Sequence, residues 1–266
     1  MIDLHTVADR SIHYTSQRVE GVILSVRPML HVHRAFHCWL IAMVLVMASP
    51  PTARAGGIGD LFCRNGGFPT ENSTFGVATV VNDNQAYFLR DMHGCPDDSP
   101  RCVSQYSVSS GTRVVTGRKH GKYICAYHST TDGGHAGWLD ADRLKAEPVD
   151  SKPSVSAWIG GWSDNGNPRV VFAANKGIVS VSGSAFWPGE YPDPEQFPYG
   201  PHMGGISGPV EISGNRAVER ECNVSFVLLG DFLVGIDPDG ECGGMNVRFS
   251  SVYTRDPNAE TEEQGY

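Results

Sequence analysis

The sequence predicts an all-β protein in which two β-rich parts follow a cleavable leader, and three observations carry that prediction. Glycine (31) and proline (17) are abundant, while charged residues make up only 19% of 266. That balance favours short strands and turns over long surface helices. Apolar residues fall in short runs, several of them alternating, bounded by Gly, Asn, Asp, Ser and Pro. No long 3.6-residue period accompanies them. An apolar share of 40% and an aromatic share of 9% supply real cores and argue against wholesale disorder. A net charge of −8 without a sustained basic stretch excludes a protein that grips nucleic-acid backbone.

The leader comes first in the chain. Residues 1–55 hold five Arg against three acids, a balance of +2 that leaves −10 for residues 56–266. Arg34 precedes the apolar run 36–48, and Pro50, Pro51 and then Ala53-Arg54-Ala55 follow it. A charged n-region, an apolar h-region and an A-x-A site in that order read as a secretory signal cleaved after Ala55. A run of about a dozen residues falls short of the ~20 that span a bilayer, so no membrane span is expected after cleavage. Residues 1–28 show no apolar periodicity and make the leader longer than a typical signal peptide. Met29 therefore reads as the true start.

Cysteine usage agrees with export. Cys38 lies in the leader, which leaves Cys63, Cys95, Cys102, Cys125, Cys222 and Cys242. An even set in an exported chain reads as disulfides, and the close C-x₂₋₄-C pairs of a metal site are missing. The long gap between Cys125 and Cys222 puts four cysteines in the first half and two in the second. Cys222–Cys242 is the expected bridge of the second half. Cys95–Cys102 with Cys63–Cys125 is the pairing taken for the rest, which spacing alone leaves open.

The elements follow in order. The polar segment 147–156, with Pro148 and Pro153, reads as a linker between a domain over 56–146 and a second over 157–255; residues 256–266 form an acidic tail. Strands are predicted at 86–90, 111–117, 122–127 and 136–139, with a short helical turn within 139–144. In the second half they are predicted at 169–173, 177–183, 185–187, 206–213, 215–221, 223–229, 232–236 and 246–253. A loop through Pro188, Pro192, Pro194, Pro198 and Pro201 interrupts this series. Val224, Phe226 and Leu228 alternate, as do Phe232, Val234 and Ile236, so one face of each strand is expected buried and the other wet. Short connections imply antiparallel neighbours, and about seven such strands are expected to close into a small barrel without free edges.

Two stretches resemble known domains. Leu89-Arg90-Asp91, Gly111-Thr112-Arg113-Val114-Val115, Gly121-Lys122-Tyr123-Ile124, Gly137-Trp138-Leu139 and Arg143-Leu144 follow one another as in a bacterial SH3-like (SH3b) domain. The resemblance covers about 76–146, and Gly137-Trp138-Leu139 is its most specific piece. Lys122 stands where that family often places a Trp, and Cys95, Cys102 and Cys125 are additions to the pattern. The resemblance implies a small barrel and non-catalytic binding of cell-wall or peptide ligands. In the second half, Glu221-Cys222, Leu228-Leu229-Gly230, the run 242–249 and Tyr253-Thr254-Arg255 resemble an uncharacterised β-rich domain of exported proteobacterial proteins. Some of its relatives occur with modules likened to lysozyme inhibitors, and it offers no catalytic residues.

Catalytic signatures are weak. Gly205-Ile206-Ser207-Gly208-Pro209 lacks the final Gly of a nucleophile elbow. Paired cysteines leave no thiol for a Cys–His nucleophile, and no phosphate or dinucleotide fingerprint calls for a cofactor. The acids fall mostly at turns or in Glu260-Thr261-Glu262-Glu263, not as the desolvated pair a glycosidase needs. His128 and His135, with Asp132 between them, sit about a Gly-rich hairpin tip and read as solvated loop residues, so no metal is expected. Asp237-Pro238-Asp239-Gly240-Glu241 lacks acids a Ca²⁺ loop requires and reads as a turn beside a disulfide. Trp158 and Trp162 are the candidate ligand-binding residues: placed four apart near a strand start, they suit stacking on a sugar or peptide, the plain alternative being a barrel-end plug. The expected function is a periplasmic or secreted, non-catalytic cell-envelope binding protein that recognises an envelope ligand or protein, possessing no nucleic-acid partner. The alternative is an envelope hydrolase acting on glycan or peptide.

Overall fold

A computed structural model describes residues 62–65, 68–69, 74–81, 85–130 and 133–259. The leader with its Met29 start and cleavage site, Asp132 and the acids 260–263 lie outside the described residues. The described chain is built from fifteen strands and three single 3₁₀ turns, so the all-β prediction holds. The first seven strands are β1 (Gly76–Val80), β2 (Ala86–Leu89), β3 (Val103–Val108), β4 (Arg113–His120), β5 (Tyr123–His128), β6 (His135–Asp140) and β7 (Leu144–Ala146). They form one antiparallel sheet in the order β3-β2-β6-β5-β4-β1-β7. A 3₁₀ turn at Ala141–Arg143 occupies the predicted helical position, with the Asp140 carboxylate accepting the Asp142 N–H.

The remaining eight strands close into a barrel. They are β8 (Gly160–Ser163), β9 (Arg169–Asn175), β10 (Ile178–Trp187), β11 (His202–Ser213), β12 (Arg216–Glu219), β13 (Val224–Leu229), β14 (Phe232–Ile236) and β15 (Ser251–Arg255). Each pairs antiparallel with its successor, and β15 returns to β8 through Thr254↔Ser163 and Arg255↔Trp162. Closure leaves the barrel no free edge. Val224, Phe226 and Leu228 point inward, where they join Phe172, Leu233, Phe249 and Tyr253 in the barrel core.

The expectation of one wet face on these strands is corrected by the structure. β13 is buried along its whole length, and β14 is buried from Leu233 onward. Val227, Leu229, Val234, Ile236 and Val252 point out of the barrel into a second core, shared with Val77, Val115, Tyr123, Tyr127 and Trp138 of the first sheet. The alternating Val234 and Ile236 thus face away from the barrel core, and the first sheet covers them. Burying five aliphatic side chains at ~1.5–3 kcal/mol each makes this contact worth of order 10 kcal/mol before entropy is counted. The other face of the first sheet buries a smaller cluster around Val80, Phe88, Val114 and Leu139.

Polar groups tie the two sheets at the rim of this core. Glu147 donates its N–H to Val77 O, and its carboxylate pairs with Arg113. Arg113 reaches Asp231 in the β13–β14 turn at 2.7 Å. Asp164, just after β8, accepts hydrogen bonds from Ser251, from Tyr127 Oη at 3.3 Å and from Asn165. Tyr127 belongs to the first sheet, and its hydroxyl lies where a side chain at position 134 would be: a Cβ on Gly134 would sit 1.5 Å from it. Burial pushes the Asp164 carboxyl above its ordinary value of 3.8, against the lowering effect of Ser251, Tyr127 and Asn165.

The folded state therefore holds the Asp164 proton more tightly than the unfolded chain does. Its contribution to stability is fullest below 3.8 and declines as pH rises through the elevated folded value. Asp164→Asn is expected to flatten that decline, and Asp164→Ala to cost about 1–3 kcal/mol by leaving two hydroxyls without an acceptor. Denaturant melts of the three proteins at a series of pH values check this; an unchanged pH slope in Asp164→Asn would refute it.

Candidate functional site

The longest paired surface of the barrel is the β10–β11 hairpin, in register from Ser180↔Pro209 to Trp187↔His202. Strand alternation sends Val179, Val181, Ala185 and Ile206 into the barrel core. It sends the intervening residues outward as three cross-strand pairs: Ser182↔Ser207, Ser184↔Gly205 and Phe186↔Met203. Two small polar pairs and one apolar pair thus form the floor of a groove of about 730 Å³.

Arg169 stands at one side of the groove. It begins β9, pairs with Ser184 and is 9% exposed. Its Nε donates to Ser184 Oγ at 3.2 Å, its guanidinium meets Glu190 at 2.6 Å, and it lies 6.0 Å from the Phe186 ring centroid. A buried cation needs such a partner, and Glu190 supplies it. The guanidinium enters the groove charge-compensated and fixed in orientation.

The Cys222–Cys242 disulfide and Glu221 form the other side. β12 pairs with β11 only from Val210 to Ser213, which leaves the edge of β11 at 203–205 without a strand neighbour. The loop 237–248 fills that place. Gly205 N–H donates to Cys242 O at 3.0 Å, and Gly244 N–H to Met203 O at 3.1 Å. The approach is close enough that a Cβ on Gly204 would fall 2.8 Å from Cys242 O. Asp237 shapes the loop: its carboxylate accepts the N–H of Gly240 at 2.7 Å and of Phe249 at 3.0 Å. Of the acids in the 237–241 turn, Asp237 is thus committed to backbone, and Asp239 accepts from the Asn223 side chain.

All three expected disulfides are formed: Cys63–Cys125, Cys95–Cys102 and Cys222–Cys242. Among the described residues, the one close group of three metal-ligating types is Cys95, Asp97 and Cys102, and both sulfurs there are consumed by a disulfide. His128 and His135 face each other across β5 and β6. Burial lowers both pKa values, and His128 lowers that of His135 further. His135 packs 3.5 Å from the Tyr106 ring centroid and edge-on to Phe88. These rings line a second cavity of about 530 Å³ in the first sheet, beside the Arg64–Asp91 ion pair.

Trp158 and Trp162 do not reach either cavity. Both are fully buried, packed in the barrel core, which corrects their reading as ligand-stacking residues. The segment before β8 folds into the barrel end, so Trp162 Nε1 donates to Trp158 O and the Trp158 ring meets Phe172. Arg255 covers Trp162, 3.7 Å from its centroid, and donates to Ala157 O and Ile159 O. They are the barrel-end plug. The residues sequence reasoning missed are Ser182, Ser184, Ser207, Phe186 and Arg169. The alternation of Val179 and Val181 with Ser180, Ser182 and Ser184 was the available signal.

Comparison of the chain with protein-family models, curated proteins and solved structures gave no match. The groove is therefore read from its own chemistry: hydroxyls and glycine backbone along the floor, an apolar pair at one end, a neutralised guanidinium on one side and the Glu221 carboxylate on the other. That set suits a small polar ligand with one apolar face. Cys222 and Cys242 close a loop of sequence separation 20. The Cys222→Ala/Cys242→Ala double variant is expected to lose about 2–4 kcal/mol of stability. Limited proteolysis should then cut within 237–248 while β5 and β6 stay protected; an uncut loop would show that backbone hydrogen bonds alone hold the wall.

Proposed function

We propose that this is an exported, non-catalytic binding protein of the cell envelope, periplasmic or secreted, that holds a polar envelope ligand in the β10–β11 groove. The single observation behind the reading is the groove floor, where Ser182↔Ser207, Ser184↔Gly205 and Phe186↔Met203 line up beside a buried, paired Arg169. Such a floor offers hydrogen bonds and one face for stacking or apolar contact, with the Glu221 carboxylate at its side, as a glycan or short wall peptide can use. Three disulfides fit an oxidising compartment, and no helix among the described residues is long and apolar enough to cross a membrane. The SH3-like resemblance of residues 76–146 supports the same class of wall or peptide recognition. Of the carboxylates at the groove, Glu190 is committed to Arg169, so Glu221 lacks the free acid partner a glycosidase needs, which favours recognition over the hydrolase alternative.

Ser207 is exposed on the groove floor, so a large side chain there fills the groove without disturbing the core. Wild type is expected to be retained by peptidoglycan or envelope extract, and Ser207→Trp to lose that retention about tenfold or more with an unchanged melting temperature. Sedimentation binding assays read both. The proposal is overturned if wild type binds neither preparation, or if Ser207→Trp binds as wild type does.

A further inference from the structure

A second surface stands beside the groove and does not depend on the groove's being occupied. The loop 188–201 joins β10 to β11 and carries five prolines, the acids Glu190, Asp193 and Glu195, and no Lys or Arg. Its exposed apolar content is unusual. Tyr199 is 100% exposed and Tyr191 89%, with Met203 at 64% and Met245 at 70% on the adjoining chain. Met245 reaches this place because Gly244 N–H bonds Met203 O. Scattered exposed apolar residues need no explanation, but several gathered at the end of one hairpin mark an interaction site.

The loop is also preorganised. Trp187 stacks on His202 at 5.8 Å and meets Phe197 edge-on at 5.6 Å, closing the base of the loop. Phe197 N–H bonds Asp193 O at 2.8 Å, and the Asp193 carboxylate accepts from Glu195 N–H and Gln196 Nε2. Glu190 is fixed by Arg169. A loop already held in place loses little freedom when a partner covers it.

Charge selects among occupants. With Glu190 paired to Arg169, Asp193 and Glu195 leave the loop negative, so it repels anionic phospholipid, and a second copy of a chain of net charge −8 is repelled in the same way. Exposed Tyr and Met are the side chains enriched in protein interfaces, and acids around them favour a partner of opposite sign. We infer that the 188–201 loop is a docking surface for a basic protein, with Tyr191 and Tyr199 as its anchors and Glu195 and Asp193 steering the approach.

The test uses the full mature chain against three immobilised basic proteins (hen lysozyme, ribonuclease A and cytochrome c), with poly-lysine as a charge-only probe. At least one of the three is expected to bind, with affinity falling as sodium chloride is raised. Tyr191→Ala/Tyr199→Ala should weaken that binding about tenfold or more, leave poly-lysine binding unchanged and melt like wild type, since both rings are exposed. Ser207→Trp, which blocks the groove, should bind the basic protein normally, and this separates failure of the docking surface from failure of the groove. The inference is overturned if none of the three proteins binds. It is overturned equally if the double variant binds them as wild type does, or if the tyrosines prove to be needed for neutral peptidoglycan fragments instead.

Discussion

Strands β13 and β14 are buried on both faces, and most of the remaining architecture follows from that constraint. A closed barrel needs only its interior filled. Here the outer faces of β13, β14 and β15 also carry aliphatic side chains, and the first sheet exists in its observed place because it covers them. The same constraint positions the groove. Around the ring of eight strands, β10 stands opposite β14 and β11 opposite β15. The wall farthest from the covered face is therefore the one left open, and it is the wall whose outward residues are Ser, Gly, Phe and Met rather than Val, Leu and Ile. Burial on one side and an open groove on the other are two halves of one pattern.

Charged groups in this protein serve mainly as fasteners. Arg255 closes the barrel end over Trp162, Asp237 shapes the loop that walls the groove, and Asp164 joins the barrel to Tyr127 of the first sheet. Each places a charge where it has several hydrogen-bond partners, which offsets the cost of taking it out of water. Arg169 follows the same rule, but at the groove. Because Glu190 lies in the proline loop, the ion pair also fixes the start of that loop to the groove wall. The groove and the exposed tyrosines are thereby held in one geometry, with Met203 bordering both.

Much of the fold was legible in the sequence, and the misses have physical reasons. Alternation in Val224–Leu229 identified β13, and the even cysteine set with its long gap matched the three bridges. β10 read as two pieces because Gly183 interrupts it; the strand runs through, since a Cβ there would lie 2.4 Å from Arg169 O where β9 approaches. β3 was missed because it is an edge strand with mostly exposed or half-exposed residues, and β8 because two of its four residues are Gly. The predicted start of the last strand at 246 was early: Val247 and Phe249 are buried, but Phe249 gives its N–H to Asp237 and pairing begins only at Ser251. Local pattern shows that a residue is buried, not which core receives it, so Val234 and Ile236 were recognised as apolar without their destination. The groove needs three distant segments, 169, 182–207 and 221–242, and no local period records such a meeting.

The most direct measurement is an amide chemical-shift map of isotope-labelled residues 56–266 titrated with soluble peptidoglycan fragments. The expected result is saturable shifts at Ser182, Ser184, Gly205 and Ser207, extending to the 242–244 wall that bonds β11, with β5 and β6 unmoved. Shifts confined to the cavity around Tyr106 and His135 in the first sheet, or no shifts at saturating ligand, would contradict the assignment of recognition to the β10–β11 groove.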